Sequence, residues 1–517
     1  MSLRYRLFEF DHSCLASPQD TGTLLETLGG YDYSPLASLS IAQWASTLRH
    51  ALDAGAKAVL LQESVHDPDF LEEYEAFYCK QQKDVSRLCR RLHFFSLGVG
   101  KGNHAYNTDE LLNYIDQAAA TANSYIGFVT LRPLRHAPVG ASILSAIPKA
   151  PVTCSDVFPV HIAGREFEVS GTPYLQQDNA VGACAQASIW VALRTLRKRV
   201  GNSAYSPAEL TVAATKHFTF NKVFPGRHGL TTHQMLEAIR SAGHDPLIVQ
   251  PNGTTPAAIA EQAIKFATPY LESGLPVIIG LNDPVSGGHA VVAIGYTHPA
   301  PGKENPEFLT IHNDNSGCYI SLPQHPIAGS NYALDQSIAL ITPLPDGICM
   351  TAAEAETLAN AAIVFGGQFL ISLPPFAAPA HPAVGFGAAV NCILRIFLST
   401  RHSFRKWATT AIDLDIPTRD TYRTTELPRF VWVAEIHDSA SFERGTFTQK
   451  SRLGEVVLDA SADALHGDAL LFLRLSGKMI GTAAPEDGLL VIERQSQARE
   501  LRAIQAPPSY GQHEPWK

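Results

Sequence analysis

Cys184 ends a polar stretch, Gln176-Gln177-Asp178-Asn179-Ala180-Val181-Gly182-Ala183, and heads an apolar series, Ile189, Leu193, Leu196 and Val200, that steps by 4, 3 and 4. That period is a helix with one buried stripe, and the polar stretch ahead of it predicts a loop. Cys184 therefore falls in the first helical turn, where unpaired N–H groups and the positive end of the helix dipole favour thiolate over thiol. Thiol nucleophilic catalysis needs such a thiolate. A second segment, Ser286-Gly287-Gly288-His289, releases the backbone into the apolar run Ala290 to Tyr296. A buried strand thus presents an imidazole at its mouth, placed to take a thiol proton. A third segment, Phe308 to Leu322, reads as strand, polar turn, strand, with Asn313-Asp314-Asn315-Ser316-Gly317 as the turn. Asp314, with Asn313 as the alternative, can hold the other imidazole nitrogen and fix the tautomer and ring plane. Turn chemistry alone also accounts for those five residues.

In the order Cys, His, Asp, these segments resemble the papain-like cysteine peptidases. The likeness is greatest to the bacterial branch that includes the double-glycine leader peptidases of bacteriocin export. It covers about Pro173 to Leu322, and Gly229-Leu230-Thr231-Thr232-His233-Gln234-Met235-Leu236 with Gly243 is similar to the family's segment between Cys and His. The resemblance implies a glutamine ahead of the Cys that joins the Cys184 N–H in holding an oxyanion. Gln177 lies seven residues ahead, where the family has six, so Gln176 stays open beside it. Ala185 follows the Cys where the family often has Gly. The implied catalytic set is Cys184, His289, Asp314 and Gln177, in a peptidase of narrow range acting on a protein or peptide through an acyl-enzyme. No metal and no organic cofactor is implied. An acyltransferase or deamidase would use the same set, and a papain-like frame with a decayed site would be an interaction protein. No transporter segment is legible, so a leader-peptidase role is not part of the expectation.

The elements that must position these residues imply an α+β fold. A chain of 517 residues exceeds what one core sustains, which predicts two to four domains. Residues 1–165 read as a mixed α/β module, residues 166–345 as a papain-like domain with its nucleophile helix packed on an antiparallel sheet, and residues 346–517 as an α+β module for substrate recognition or scaffolding. In the first part, Ile41–Ala54 and Phe70–Leu92 have helical spacing, and Lys57–Gln62 and Tyr125–Leu131 have strand length. Ala163-Gly164-Arg165 is a hairpin turn near a boundary. Arg132-Pro133-Leu134 and Arg90 to Phe95 read as structural. In the middle, helices are expected at Pro207–Thr215 and Thr232–Ala242, and strands at Pro276–Gly280, Ala290–Tyr296, Phe308–His312 and Tyr319–Leu322. In the last part, Thr351-Ala352-Ala353-Glu354 is a capping box for a helix to about Ile363. Strands are expected there at Phe430–Ile436, Glu455–Leu458 and Ala469–Leu475, and a loose tail closes the chain.

Composition excludes several classes. A net charge of −9 with no basic run longer than Arg197-Lys198-Arg199 makes nucleic acid a poor partner. Val384–Leu398 is broken by Asn391 and Arg395 and reads as a buried amphipathic helix, not a membrane span. Eight cysteines without a CxxC pair point to a reducing, cytoplasmic setting, and no secretory signal is legible. Gly98 to Gly102 lacks phosphate-loop spacing, and there is no HExxH or zinc spacing.

Overall fold

A computed structural model describes residues 5–30, 38–82, 84–99, 106–134, 136–178, 184–200, 205–217, 229–282, 288–297, 306–372, 392–411, 414, 416–438, 452–464, 469–475, 478–482 and 489–492. It is a mixed α and β protein with antiparallel sheets, and its chain divides into two compact units. The first comprises residues 1–263, 276–297 and 308–343, and the second residues 264–275, 298–307 and 344–517.

The first unit holds two sheets. One has seven antiparallel strands in the order β1-β2-β3-β4-β5-β7-β6: β1 (Tyr5–Glu9), β2 (Ala58–Val65), β3 (Cys89–Phe95), β4 (Tyr125–Leu131), β5 (Ser142–Ser145), β6 (Asp156–Ile162) and β7 (Arg165–Tyr174). The division expected at 165/166 falls at the start of β7, where it pairs with the end of β6, inside this unit. Four helices join these strands: α1 (Pro18–Gly29), α2 (Ser38–Asp53), α3 (Pro68–Ala76) and α4 (Thr108–Ala120). A reciprocal Asn107–Glu110 capping box starts α4, whose Leu111, Ile115 and Ala118 bury against Leu60, Phe95 and Phe167. The helix expected over Phe70–Leu92 is corrected: α3 ends at Ala76, a 3-10 turn covers Tyr78–Lys80, and β3 begins at Cys89. Pairing of β3 on both edges, with β2 and β4, overrides the local helical spacing.

The other sheet has the order β12-β11-β10-β9-β13-β8, from β8 (Asp245–Val249), β9 (Val277–Leu281), β10 (His289–Tyr296), β11 (Phe308–Asn313), β12 (Gly317–Pro323) and β13 (Ser337–Leu344). All eight residues of β10 are buried, as an unbroken apolar run at a sheet centre requires. Helices α5 (Cys184–Val200), α6 (Pro207–Ala214) and α7 (Thr232–Ser241) precede the central strands, with α5 against β9 and β10. Helix α8 (Pro256–Glu272) begins in this unit and ends in the other.

The second unit is a six-stranded antiparallel meander, β14 (Cys392–Thr400), β15 (Phe430–Asp438), β16 (Arg452–Asp459), β17 (Leu470–Leu475), β18 (Lys478–Thr482) and β19 (Leu489–Ile492). With it come α9 (Ala352–Ser372), α10 (Arg401–Thr410) and α11 (Ile416–Thr424). The amphipathic helix expected over Val384–Leu398 is corrected, because residues from Cys392 onward form β14, paired along nine positions with β15. Residues 384–391 and the expected tail lie outside the described residues. One face of this sheet carries a buried charge ladder in register, Arg395, Glu435, Glu455 and Arg474. Its carboxylates are paired within the unit: Glu435 with Arg395 and Arg452, each at 3.0 Å, and Glu455 with Arg474 at 2.5 Å. No described helix of either unit is long and apolar enough to cross a membrane.

Candidate active site

Helix α5 opens on Cys184, as its sequence predicts, and Ile189, Leu193 and Leu196 are buried. Ser188, one turn on, donates from its hydroxyl to the Ala290 carbonyl at 3.1 Å, and Cys184 itself is half-buried. The first turn of α5 is thereby tied to the start of β10, whose first residue is His289. Burial pushes the Cys184 thiol up to about 12, and the charge of Asp314 adds to that. Amides of Ala290, Ala185 and Cys184 itself pull the other way without prevailing. Burial thus opposes the thiolate that the helix start favours. A helix dipole contributes about 0.3–1 kcal/mol, under one pKa unit at about 1.36 kcal/mol each, and desolvation outweighs it.

His289 is buried, with its ring stacked on Tyr332 at 4.8 Å between centroids and 21° between planes. Its Nε2–H donates to Asn313 Oδ1 at 3.0 Å, and Asp314 Oδ1 stands 3.7 Å from the same nitrogen. A carboxamide oxygen only accepts, so Nε2 carries the proton and Nδ1 the lone pair that a base needs. Asn315 Nδ2 donates to that Nδ1 at 3.4 Å, while Asn315 Oδ1 accepts from Gln177 Nε2 at 2.9 Å. The direct hydrogen bond to the imidazole is thus made by Asn313, the last residue of β11, and Asp314 stands one residue into the turn. Asn313 Oδ1 also accepts from the Asn315 amide at 2.8 Å, an Asx turn that holds the loop's shape.

Asp314 is buried, and burial pushes its carboxyl up to about 8, opposed by its own amide. Asp314 Oδ2 and Asn313 Nδ2 have no hydrogen-bond partner among the described residues. The folded state therefore holds the Asp314 proton more tightly than the unfolded chain, whose ordinary value is 3.8. Stability from this group is fully present below the unfolded value and is lost as pH rises through about 8. Asp314→Asn is accordingly expected to raise the melting temperature by several degrees near pH 9 and hardly at all near pH 4, read from thermal melts across pH. A carboxylate that merely shaped the hairpin would show a loss at both.

The two glutamines differ in what holds them. Gln176 is locked: its Oε1 accepts from the Val139 amide at 3.0 Å, its Nε2 donates to Gln43, and its carbonyl accepts from Arg132 Nη2 at 2.8 Å. Gln177 is half-buried and reaches Asn315. Arg132 is fully buried and also bonds Glu73 Oε2 at 3.0 Å and the Ala137 carbonyl at 3.1 Å. Tyr78 donates to Asp178 on the other side of Gln177, and Asp69 of α3 ties α5 through Trp190 at 3.0 Å and Arg194 at 2.5 Å. The second strand of the hairpin is anchored beside the turn through Tyr319, whose hydroxyl accepts from the Thr172 amide at 2.8 Å and donates to the Leu144 carbonyl at 2.7 Å. Tyr319 holds φ at +52°, a conformation costly for an aromatic residue and maintained here by these bonds and by stacking on His50 at 4.2 Å. The seven-stranded sheet and its helices thus hold the glutamine loop and the hairpin. Residues 179–183, including Gly182, lie outside the described residues.

Sequence reading brought Cys184, His289, Asn313, Asp314 and Gln177 into one neighbourhood and gave Asn315 only turn chemistry. Asn315 sits in the same turn as Asp314, so its place was visible and its reach was not. Tyr332 left no signal, and Arg132 left only the sign of deliberate structure.

No protein-family model and no curated protein matches the chain. Among solved structures, the crystal structure of a double glycine motif protease from an AMS/PCAT transporter in complex with the leader peptide is similar over 33% of this chain and 91% of that one. The identity is 19% and the TM-score 0.21. At that score the likeness bears on neither fold nor chemistry.

Proposed function

We propose that this chain is a thiol hydrolase, a cysteine peptidase of restricted protein range, working through an acyl-thioester on Cys184. The observation that supports the reading is the Ser188–Ala290 bond that ties the first turn of α5, with Cys184, to the start of β10, with His289, whose Nδ1 lone pair is set by the Nε2–Asn313 bond. His289 Nδ1 takes the thiol proton as sulfur attacks the substrate carbonyl, then returns it to the leaving amine, and water hydrolyses the thioester. Asn313 orients the ring, and Asp314, once ionised, stabilises the imidazolium formed in that step. Gln177 and the Cys184 amide donate to the developing oxyanion.

Labelling of the full chain with an acyloxymethyl ketone peptide probe, followed by mass spectrometry, tests this. The expected adduct is on Cys184. Gln177→Ala should slow its formation about 10²–10³-fold, whereas Gln176→Ala should lower the melting temperature instead. Adducts on the exposed Cys79 or Cys349 with Cys184 bare would leave a non-catalytic interaction protein as the better reading.

A further inference from the structure

The structure assigns to Asn315 a role as a positioning residue that couples the base to the oxyanion donor and holds both at rest. This rests on the proposed pairing of Cys184 with His289. One carboxamide spans the two groups: Asn315 Nδ2 donates to His289 Nδ1 at 3.4 Å, and Asn315 Oδ1 accepts from Gln177 Nε2 at 2.9 Å. The Nδ1 lone pair is the one available on the ring, since Nε2–H is given to Asn313 Oδ1. Asn315 therefore competes with the Cys184 S–H for the acceptor that would deprotonate it. Its main chain is fixed independently, because the Asn315 amide donates to Asn313 Oδ1 at 2.8 Å. Side-chain rotation alone can thus release the base while the turn stays in place.

The coupling has a direction. A substrate carbonyl entering beside Cys184 draws the Gln177 amide toward its oxygen and takes that donor from Asn315. Asn315 then loses the stronger of its two side-chain bonds, and the remaining 3.4 Å bond to Nδ1 is long for an N–H donor. Nδ1 then exchanges that long bond for the thiol proton once the carbonyl is in place. With no substrate, a buried thiol and a capped base leave the site quiet.

The test is the rate at which iodoacetamide modifies Cys184 near neutral pH in the full chain, followed by mass spectrometry. This reagent places no carbonyl in the oxyanion position, so it reads the base alone. Asn315→Ala is expected to speed Cys184 modification about tenfold, equivalent to about 1.4 kcal/mol. Asn315→Ser, which keeps turn chemistry but cannot reach both partners, is expected to do the same if the alanine variant folds poorly. The gain should vanish when His289→Ala is added, and Ser316→Ala should have no effect. If both Asn315 variants, folded by circular dichroism, react no faster than the parent while His289→Ala reacts more slowly, the role of Asn315 is overturned and the Cys184–His289 pairing survives. If His289→Ala reacts as fast as the parent, the pairing itself fails and the role of Asn315 with it.

Discussion

Replacing His289 with alanine is expected to lower acylation of Cys184 about 10²–10⁴-fold near neutral pH. Burial holds the thiol at about 12. At pH 7 very little of a thiol so raised is ionised by bulk water. On the proposed mechanism, acylation in the intact site proceeds by direct proton transfer to His289 Nδ1. In the alanine variant hydroxide has to do this work, so the logarithm of the rate should rise by about one for every pH unit, with no plateau until the thiol itself titrates. A solvent-exposed cysteine would level off near its ordinary value, several units earlier. The measurement is the pH profile of probe labelling at Cys184 in both proteins. A variant that labels at the parent rate, or that plateaus near pH 9, would show that neither burial of the thiol nor the imidazole controls the reaction.

Arg132→Met is expected to destabilise the first unit by about 3–5 kcal/mol, the usual result of removing one partner of a buried ion pair. The guanidinium and Glu73 are each almost wholly inaccessible, at 1% and 3% of side-chain surface, and 3.0 Å apart. Loss of the arginine strands Glu73 and also frees the carbonyls of Gln176 and Ala137 that it held. Burial pushes Glu73 up, so it can take a proton once its partner is gone, and the loss should be smaller at acid pH. Adding Glu73→Leu removes the stranded group, and the double variant should recover more than half of the lost stability in denaturant melts. Cys184 labelling by the peptide probe should nonetheless stay low in that double variant. The loop carrying Gln177 would have lost one of the three bonds that fix Gln176, and catalysis depends on such placement to a fraction of an ångström. Full labelling alongside restored stability would make Arg132 a purely structural residue.

Much of the site was legible in the residues because its elements are announced locally. The apolar steps after Cys184 define α5 and its first residue, and the run after Gly288 defines β10. Strands expected at Phe308–His312 and Tyr319–Leu322 are β11 and β12, each extended toward the turn that carries Asn313 to Asn315. The same local logic failed for Phe70–Leu92. There helical spacing runs on into Cys89–Leu92, which two neighbouring strands claim for the sheet. Nothing in a 3.6-residue period reports that competition, because strand pairing is decided by partners 24 to 41 residues away. The support from the seven-stranded sheet was equally silent: Arg132 meets Gln176, and Tyr319 meets Thr172, through separations of 44 and 147 residues.

Residue order alone determined which groups are present and on what kind of element each one stands: a thiol at a helix start, an imidazole at a strand mouth, amides and a carboxylate in the turn beyond. Those are properties of neighbours in the chain, and periodicity and turn chemistry record them. Tertiary structure decided what these groups do to one another. It placed Asn313 rather than Asp314 on the imidazole, set Gln176 into the fold and left Gln177 facing Asn315. It also buried the Cys184 thiol, which pushes its pKa up where its helix position pulls it down. Ionisation and hydrogen-bond choice depend on how much water is excluded and on distances of a few ångströms between distant segments, and only the folded chain sets either.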